Sequence, residues 1–158
     1  MSILLRGAGR RDLPAIQELW RARREEERKL VPGLELSPDA ESQAAQHREL
    51  VLADPRTRFV VAEEREVVLG FAHVQVETNE LAFEPERYGV LVDLVVRSDS
   101  RGQGLARRLL EQVDEWLRGR GVSELRARVL EPDLDARRFL EHTGGTRLTA
   151  TYRRSVPE

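Results

Sequence analysis

One stretch of the sequence, residues 90–106 with the letters VLVDLVVRSDSRGQGLA, constrains the fold more than any other. Six of the seven residues from 90 to 96 are apolar, which predicts a buried strand, and Asp93 is the single acid among them. Apolar residues then recur at helical spacing from about Gly102 to Arg118, which predicts a helix with one buried stripe. A buried strand that leads through a polar turn into an amphipathic helix is typical of α/β domains.

The rest of the chain also alternates between strand and helix patterns. The sequence predicts strands at residues 3–6, 58–64, 66–77, 90–96, 122–129 and 146–154, and helices at 12–30, 37–54, 102–118 and 132–143. The charged run at 21–29 is typical of a solvated helix surface, because opposite charges stand three and four residues apart. The order β-α-α-β-β-β-α-β-α-β predicts a mixed α/β sheet, and the absence of a linker or repeat predicts a single domain over residues 1–158.

Composition excludes several classes of function. The chain has 26 basic and 28 acidic residues and a formal net charge of -2, which gives no support for a nucleic-acid partner. It has no cysteine, and its three histidines are not at metal-ligand spacing, so we expect no disulfide and no metal site. The apolar run at residues 3–5 is too short for a signal peptide or a membrane span, so we expect a cytoplasmic protein with no membrane partner.

The turn at residues 98–108, SDSRGQGLARR, has the composition of an anion site. The first turn of a helix presents unpaired backbone N–H groups and usually carries Asp or Glu. Residues 101–110 contain no acid, and Arg101, Arg107 and Arg108 stand there instead. Gly102 and Gly104 would allow the backbone to approach a phosphate or pyrophosphate closely. The alternative is a glycine-rich turn with solvated arginines and no ligand.

Two common phosphate motifs do not fit this turn. A P-loop requires Gly-Lys followed by Ser or Thr, and the only lysine in the chain is Lys29. The dinucleotide fingerprint G-x-G-x-x-G requires glycine at position 107, where this chain has Arg107. A different phosphate-binding arrangement is therefore needed.

The segment Arg101-Gly102-Gln103-Gly104-Leu105-Ala106 resembles the R/Q-x-x-G-x-G/A signature of the GNAT acetyltransferases. It follows an apolar strand, as the family requires. The family's later segment, N-x-x-A-x-x-x-Y-x-x-x-G, has a degenerate counterpart here in Asp133, Ala136, Leu140 and Gly144. The order of elements is also similar, so the resemblance covers essentially the whole chain and implies the acyl-CoA N-acyltransferase fold.

The resemblance implies an acyl-CoA co-substrate, most often acetyl-CoA, and no metal. The pantetheine arm would pair with the backbone of the strand at 90–96, and a strand N–H such as that of Val95 would stabilise the oxyanion. Backbone amides of the turn would hold the pyrophosphate. The residues implied in binding the co-substrate are Leu94, Val95, Val96, Arg101, Gly102, Gln103, Gly104, Leu105, Ala106, Arg107 and Asp133.

Transfer to an amine requires the amine to lose a proton, because free alkylamines are mostly protonated at pH 7. Asp93 is the best candidate base, since an unpaired carboxylate in an apolar strand would be costly. The alternative for Asp93 is a carboxylate satisfied by the backbone or by an arginine. Glu77 could reach the same cleft as part of an acidic rim that attracts a cationic amine, or it could be merely solvated.

The sequence departs from the family pattern at two places. Leu140 replaces the tyrosine that commonly protonates the departing thiolate, and Asp133 replaces an asparagine. Tyr152 on the predicted last strand could substitute as the acid, or it could simply pack in the sheet. Coenzyme A thiolate is also a good leaving group, so solvent could supply the proton.

The sequence therefore predicts an acetyl-CoA-dependent N-acetyltransferase that acts on a primary amine in a ternary complex. The acceptor would be a small molecule or a peptide amine, bound between the first two helices, the loop at 78–89 and the last strand. The family resemblance also admits a homodimer. Two alternatives stay open, namely a catalytically weak acyl-CoA-binding module, kept open by Leu140, and a cofactor-free interaction domain on the same fold.

Overall fold

The computed structural model describes residues 2–158, and these form two compact units, the chain up to Arg128 and the segment Val129–Glu158. The single-domain prediction is not tested by this division, and each unit is described separately. The first unit contains β1 (Leu4–Gly7), α1 (Leu13–Leu30), α2 (Ala40–Val51), β2 (Thr57–Glu64), β3 (Val67–Thr78), β4 (Arg87–Val96), α3 (Leu105–Gly119) and β5 (Leu125–Ala127). The second unit contains α4 (Leu134–His142). None of the helices in residues 2–158 is both long and apolar enough to cross a bilayer.

The five strands of the first unit form one sheet in the order β1-β2-β3-β4-β5. The first three pairings are antiparallel, and β4 pairs with β5 in parallel. α1 and α2 lie between β1 and β2 in the chain, a tight turn joins β2 to β3, and a loop joins β3 to β4. The parallel pair requires a crossover, which α3 supplies. The mixed α/β sheet predicted from the sequence is thereby confirmed.

The sheet is covered on both faces. Ile16 and Leu19 of α1 are buried against one face, where they cluster with Phe71 and Val95. α3 packs on the opposite face, because a Cβ on Gly70, which neighbours Phe71 in β3, would stand 3.3 Å from a Leu109 methyl group. Burial of these apolar side chains on two faces holds β4 between α1 and α3 and thereby positions the turn after Val96.

A β-bulge in β4 changes which face its side chains occupy. His73 pairs with Asp93 and Val74 pairs with Leu91, so Val92 is an extra residue without a partner in β3. Beyond the bulge, Asp93 shares the face of α1, whereas Leu91 lies on the face of α3. Without the extra residue, strict alternation would place Leu91 and Asp93 on the same face.

The parallel pairing of β4 with β5 is short. It covers only Gly89, Val90 and Leu91 of β4, which pair with Leu125, Arg126 and Ala127. β4 then continues to Val96 without β5, so within the described chain its last five residues have a free edge on that side. The two strands are therefore unpaired after Leu91, and β5 is shorter than the predicted strand at 122–129.

The strand predicted at residues 146–154 is not formed, and this prediction is wrong. These residues have no regular secondary structure, and Leu148 and Tyr152 are 66% and 92% exposed. The pattern at 146–154 contains few apolar residues, and a β-rich composition shows only that a segment suits a sheet surface. A strand also needs a partner edge, which a local pattern does not specify.

Candidate functional site

The start of α3 is built around two glycines in the left-handed region. Gly102 has φ of 79° and Gly104, the N-cap residue, has φ of 76°. A Cβ added at either position would meet nothing within 4 Å, so the glycines are required by backbone conformation and not by crowding. The N-cap offers no side-chain acceptor, and the amide of Arg108 donates to the Gly104 carbonyl at 3.1 Å. The amides that precede Arg108 at the helix start are therefore available to an external anion.

The arginines around this turn have different roles. Arg101 donates to Glu26 Oε1 at 2.6 Å and to the Val96 carbonyl at 3.1 Å, so its charge is neutralised by α1. Arg107 and Gln103 are exposed beside the turn. The first turn of α3 contains no acid. The backbone amides, the helix dipole and Arg107 thus make the turn suitable for an anion, whereas the side chain of Arg101 mainly holds the turn to α1 and β4.

The free edge of β4 presents the backbone of Leu94 and Val96. The amide of Arg97 donates to the Leu69 carbonyl at 2.7 Å, and backbone groups that face the partner strand alternate along an antiparallel pair. Val95 therefore directs its N–H at Phe71 in β3, and Leu94 directs its N–H at the open side. The N–H of Val95 is therefore used within the sheet, whereas that of Leu94 is free in the described chain, and the role of either toward an oxyanion stays a prediction.

Asp93 is 8% exposed and forms an ion pair with Arg24 of α1. Arg24 also pairs with Glu27 at 2.9 Å, and burial lowers the pKa of its guanidinium. The sequence left open the alternative that an arginine neutralises Asp93, and the structure shows this ion pair. Asp93 also adjoins the bulge and the free edge, so its role as a base stays a prediction.

Glu77 lies within β3 and not after it. Its carboxylate accepts hydrogen bonds from Gln75 Nε2 at 2.7 Å and from Tyr88 Oη at 3.2 Å. The guanidinium of Arg126 on β5 stacks 3.9 Å from the centre of the Tyr88 ring. By register, these side chains share the face of α1 with Asp93. Glu77 is thus half-buried on the α1 face, with its carboxylate fixed by two hydrogen bonds, and is not a solvated loop residue.

Most of the chain matches the model of one known protein family. The model of the acetyltransferase (GNAT) family matches residues 14–144. The chain belongs to the GNAT acetyltransferase family. The match includes β4, the glycine turn and α3, and membership supports acyl transfer as the general activity. A search of curated proteins found no match.

Solved structures of GNAT-type acetyltransferases share the fold. A predicted acetyltransferase from Clostridium acetobutylicum with acetyl-CoA is 15% identical, with a TM-score of 0.80 over 98% of this chain and 96% of that chain. Aminoglycoside antibiotic 6'-N-acetyltransferase AAC(6')-IG from Acinetobacter haemolyticus is 16% identical, with a TM-score of 0.76 over 100% and 99%. AAC(6')-Iy, in complex with the bisubstrate analogue CoA-S-monomethyl-acetylneamine, is 19% identical, with a TM-score of 0.72 over 99% and 100%. At these identities the likeness concerns the fold alone.

The second unit contains the residues at which this GNAT chain departs from the family pattern. Asp133 is 6% exposed and caps α4, where its carboxylate accepts a hydrogen bond from the Ala136 amide at 3.1 Å. Leu140 lies within α4. Tyr152 is 92% exposed. Asp133 thus has a structural role in its own unit, and its role toward the co-substrate stays a prediction, as does that of Tyr152.

Sequence reasoning missed the partners of the site carboxylates. Arg24 belongs to a charged run that is typical of a solvated helix surface, yet its side chain is only 25% exposed and it holds Asp93. Tyr88 precedes the strand predicted at 90–96, whereas β4 begins at Arg87 and pairs Tyr88 with Glu77. The only available signal was the tyrosine itself, close before a buried strand.

Proposed function

We propose that the chain is an N-acetyltransferase that transfers the acetyl group of acetyl-CoA directly to the primary amine of a small molecule or peptide. One observation carries the proposal: the free edge of β4 ends at Val96, and α3, which has no side-chain N-cap, starts only nine residues later at Leu105. An extended chain that pairs with the β4 edge would bring its pyrophosphate to the glycine turn. Acyl-CoA has this shape, with an amide-bearing arm joined to a pyrophosphate.

The fit of this site to acyl-CoA rests on unused backbone donors. Amides of the turn and of the first residues of α3 would hold the pyrophosphate, aided by Arg107. The backbone of Leu94 and Val96 would pair with the pantetheine arm, as an added strand pairs with a sheet edge. The Leu94 N–H would stabilise the oxyanion that forms when the thioester carbonyl is attacked.

The proposed reaction forms one bond and breaks one bond. The amine nitrogen attacks the thioester carbonyl carbon, the carbon–sulfur bond breaks, and coenzyme A leaves as a thiolate that takes a proton from solvent or from an acid. The amine must lose a proton, and Asp93 and Glu77 are the candidate acceptors. Asp93 is adjacent to the bulge, whereas Glu77 lies near the other end of β4 opposite Tyr88. Asp93 is therefore the better placed base, and Glu77 is better placed to attract the amine.

The proposal is tested by two measurements on the purified protein. Isothermal titration with acetyl-CoA measures binding, and release of free thiol in the presence of an amine panel measures transfer. Binding together with turnover of at least one amine supports the enzyme. Binding without turnover of any amine favours an acyl-CoA-binding module, and failure of coenzyme A to raise the melting temperature favours a cofactor-free domain, since a ligand of the native state must stabilise it.

A further inference from the structure

Arg48 of α2 is a buried cation that has no carboxylate partner among residues 2–158. The residue is 4% exposed, and its Nη2 atom has no hydrogen-bond acceptor in the described part of the chain. Its guanidinium lies 5.5 Å from the centre of the Trp20 ring, and burial lowers its pKa to about 10. A buried charged donor without an acceptor is strongly unfavourable. An arrangement of this kind is typical of a site that an anionic ligand completes.

A second buried nitrogen without a partner lies in the same region. His73 of β3 is 3% exposed, its Nε2 atom has no partner within residues 2–158, and its ring stacks on Phe59 at 4.0 Å. Burial, together with the charges of His47 and Arg48, lowers the pKa of His73 to about 3. The neutral ring can donate one hydrogen bond from Nε2. The charge of Arg48 acts on His73, so these two residues, on α2 and on β3, lie near each other and each has a nitrogen without a partner in the described chain.

Arg48 also lines a groove between α1 and α2. The groove has a volume of about 480 Å³, and Arg48 lines it together with Leu13, Gln17, Ala45 and Glu49. A volume of this size is typical of small-molecule sites.

The groove is linked to the proposed transfer site by side-chain contacts. Arg24 and Arg48 each lie 5.5 Å from the centre of the Trp20 ring, and Arg24 forms the ion pair with Asp93 beside the β4 bulge. His73 is the register partner of Asp93. Arg48 is thus connected to Asp93 of β4 through Trp20 and Arg24.

We propose that Arg48 binds a carboxylate of the amine acceptor, with His73 as a second donor, so that the acceptor is an amine that also carries a carboxylate. This inference rests on the proposed function. A polycationic acceptor is disfavoured at this place, because the two guanidinium groups on Trp20 would repel it. A planar carboxylate matches the fork of donors on an arginine and would neutralise the buried charge of Arg48.

The test is a panel of acceptors in matched pairs, an amino acid against the amide of the same amino acid. Each pair differs only in the carboxylate, and kcat/KM is measured by thiol release with acetyl-CoA. We expect the acid to be preferred by about 10- to 100-fold, which is typical of a hydrogen bond to a charged group. A ratio near one, or a preference for the amide, overturns the proposal. A preference for O-phosphoethanolamine over ethanolamine without any acid preference overturns the carboxylate assignment.

Variants locate the preference on Arg48. Arg48→Gln should reduce the acid-to-amide ratio to near one, and Arg48→Lys should retain part of it because the charge remains. The matched control is Arg21→Gln, since Arg21 is an exposed α1 arginine paired with Glu41 at 2.7 Å, and the ratio should stay unchanged. A ratio retained in Arg48→Gln overturns the assignment. Should both Arg48 variants fail to fold, the ratio of the wild-type protein still decides.

Failure of the carboxylate assignment is distinguishable from failure of the proposed function. If acetyl-CoA binds and amines are acetylated without regard to the carboxylate, only the carboxylate assignment fails. If acetyl-CoA does not bind, the proposed function fails, and the anion site is tested by thermal denaturation with an N-acetylated amino acid. A rise in melting temperature for wild type but not for Arg48→Gln supports the site, and no rise in wild type overturns it.

Discussion

Gly104 offers the sharpest test of the anion site at the start of α3. Glu and Gln have side chains of nearly the same shape. Either residue at this position must adopt a left-handed backbone conformation, because φ here is 76°. That strain costs about 1–2 kcal/mol in either variant, and a Cβ at Gly104 meets no atom within 4 Å. The two variants therefore share their cost in folding, and they differ in one negative charge at the helix start.

The magnitude of the charge effect is given by Coulomb's law. A carboxylate about 5 Å from one phosphate charge is repelled by about 1 kcal/mol in bulk water and by about 3 kcal/mol at the effective dielectric of a protein surface. We therefore expect Gly104→Glu to bind acetyl-CoA about 5- to 200-fold more weakly than Gly104→Gln. The difference should shrink as salt is added, because added ions screen exposed charges.

The assay is isothermal titration of acetyl-CoA into both variants at two salt concentrations. Urea unfolding of both variants is the control, and the free energies of unfolding should agree to within about 1 kcal/mol, since the strain is shared. Equal affinity of the two variants for acetyl-CoA at low salt would refute the reasoning, because the added carboxylate must repel a pyrophosphate bound at this helix start.

Three further predictions concern the carboxylates and the buried histidine. Asp93→Asn should lower kcat at neutral pH with partial recovery at high pH, where free amine is abundant, and an unchanged pH–rate profile would remove Asp93 as the base. Glu77→Gln should raise the KM of a cationic amine about tenfold and leave the Kd of acetyl-CoA unchanged, and calorimetry with steady-state kinetics separates the two. The pKa of His73, about 3 in the folded chain, lies below its usual value of 6.5, so unfolding takes up a proton between these values. The stability from the neutral ring is fully present above pH 6.5 and is lost as the pH falls, by up to about 1.4 kcal/mol per pH unit. Urea unfolding of His73→Phe from pH 7 to pH 4 should show a slope that is shallower by up to about one proton, and an unchanged slope would contradict the assignment.

The central strand–turn–helix unit could be predicted closely from the sequence. Its signals are local, because apolar patterning specifies the strand and the helix stripe, and a glycine at φ of 76° ends the turn where the helix begins. The lack of an acid at the helix start can likewise be read directly from the amino-acid sequence. The structure begins α3 at Leu105, three residues after the predicted start, since Gly102 and Gly104 are not helical.

The failed strand at residues 146–154 shows the limit of such local patterns. Threonines and an aromatic residue suit a sheet, yet the sheet of the first unit ends at β5 and no strand is assigned from Thr143 to Glu158. Strand formation depends on hydrogen bonds to another segment, and local composition has no information about that segment.

The sequence by itself determined the mixed α/β order and the glycine turn, and it predicted the anion site at the start of α3, because these depend on neighbours a few residues apart. Only the tertiary structure decided which groups face the proposed transfer site. The bulge at Val92 moves Asp93 to the face of α1, where Arg24 pairs with it, and the register gives Leu94 the free N–H. Register, strand edges and ion pairs between distant elements are set by packing over the whole sheet. For that reason the burial of Arg48 could not be predicted from the sequence.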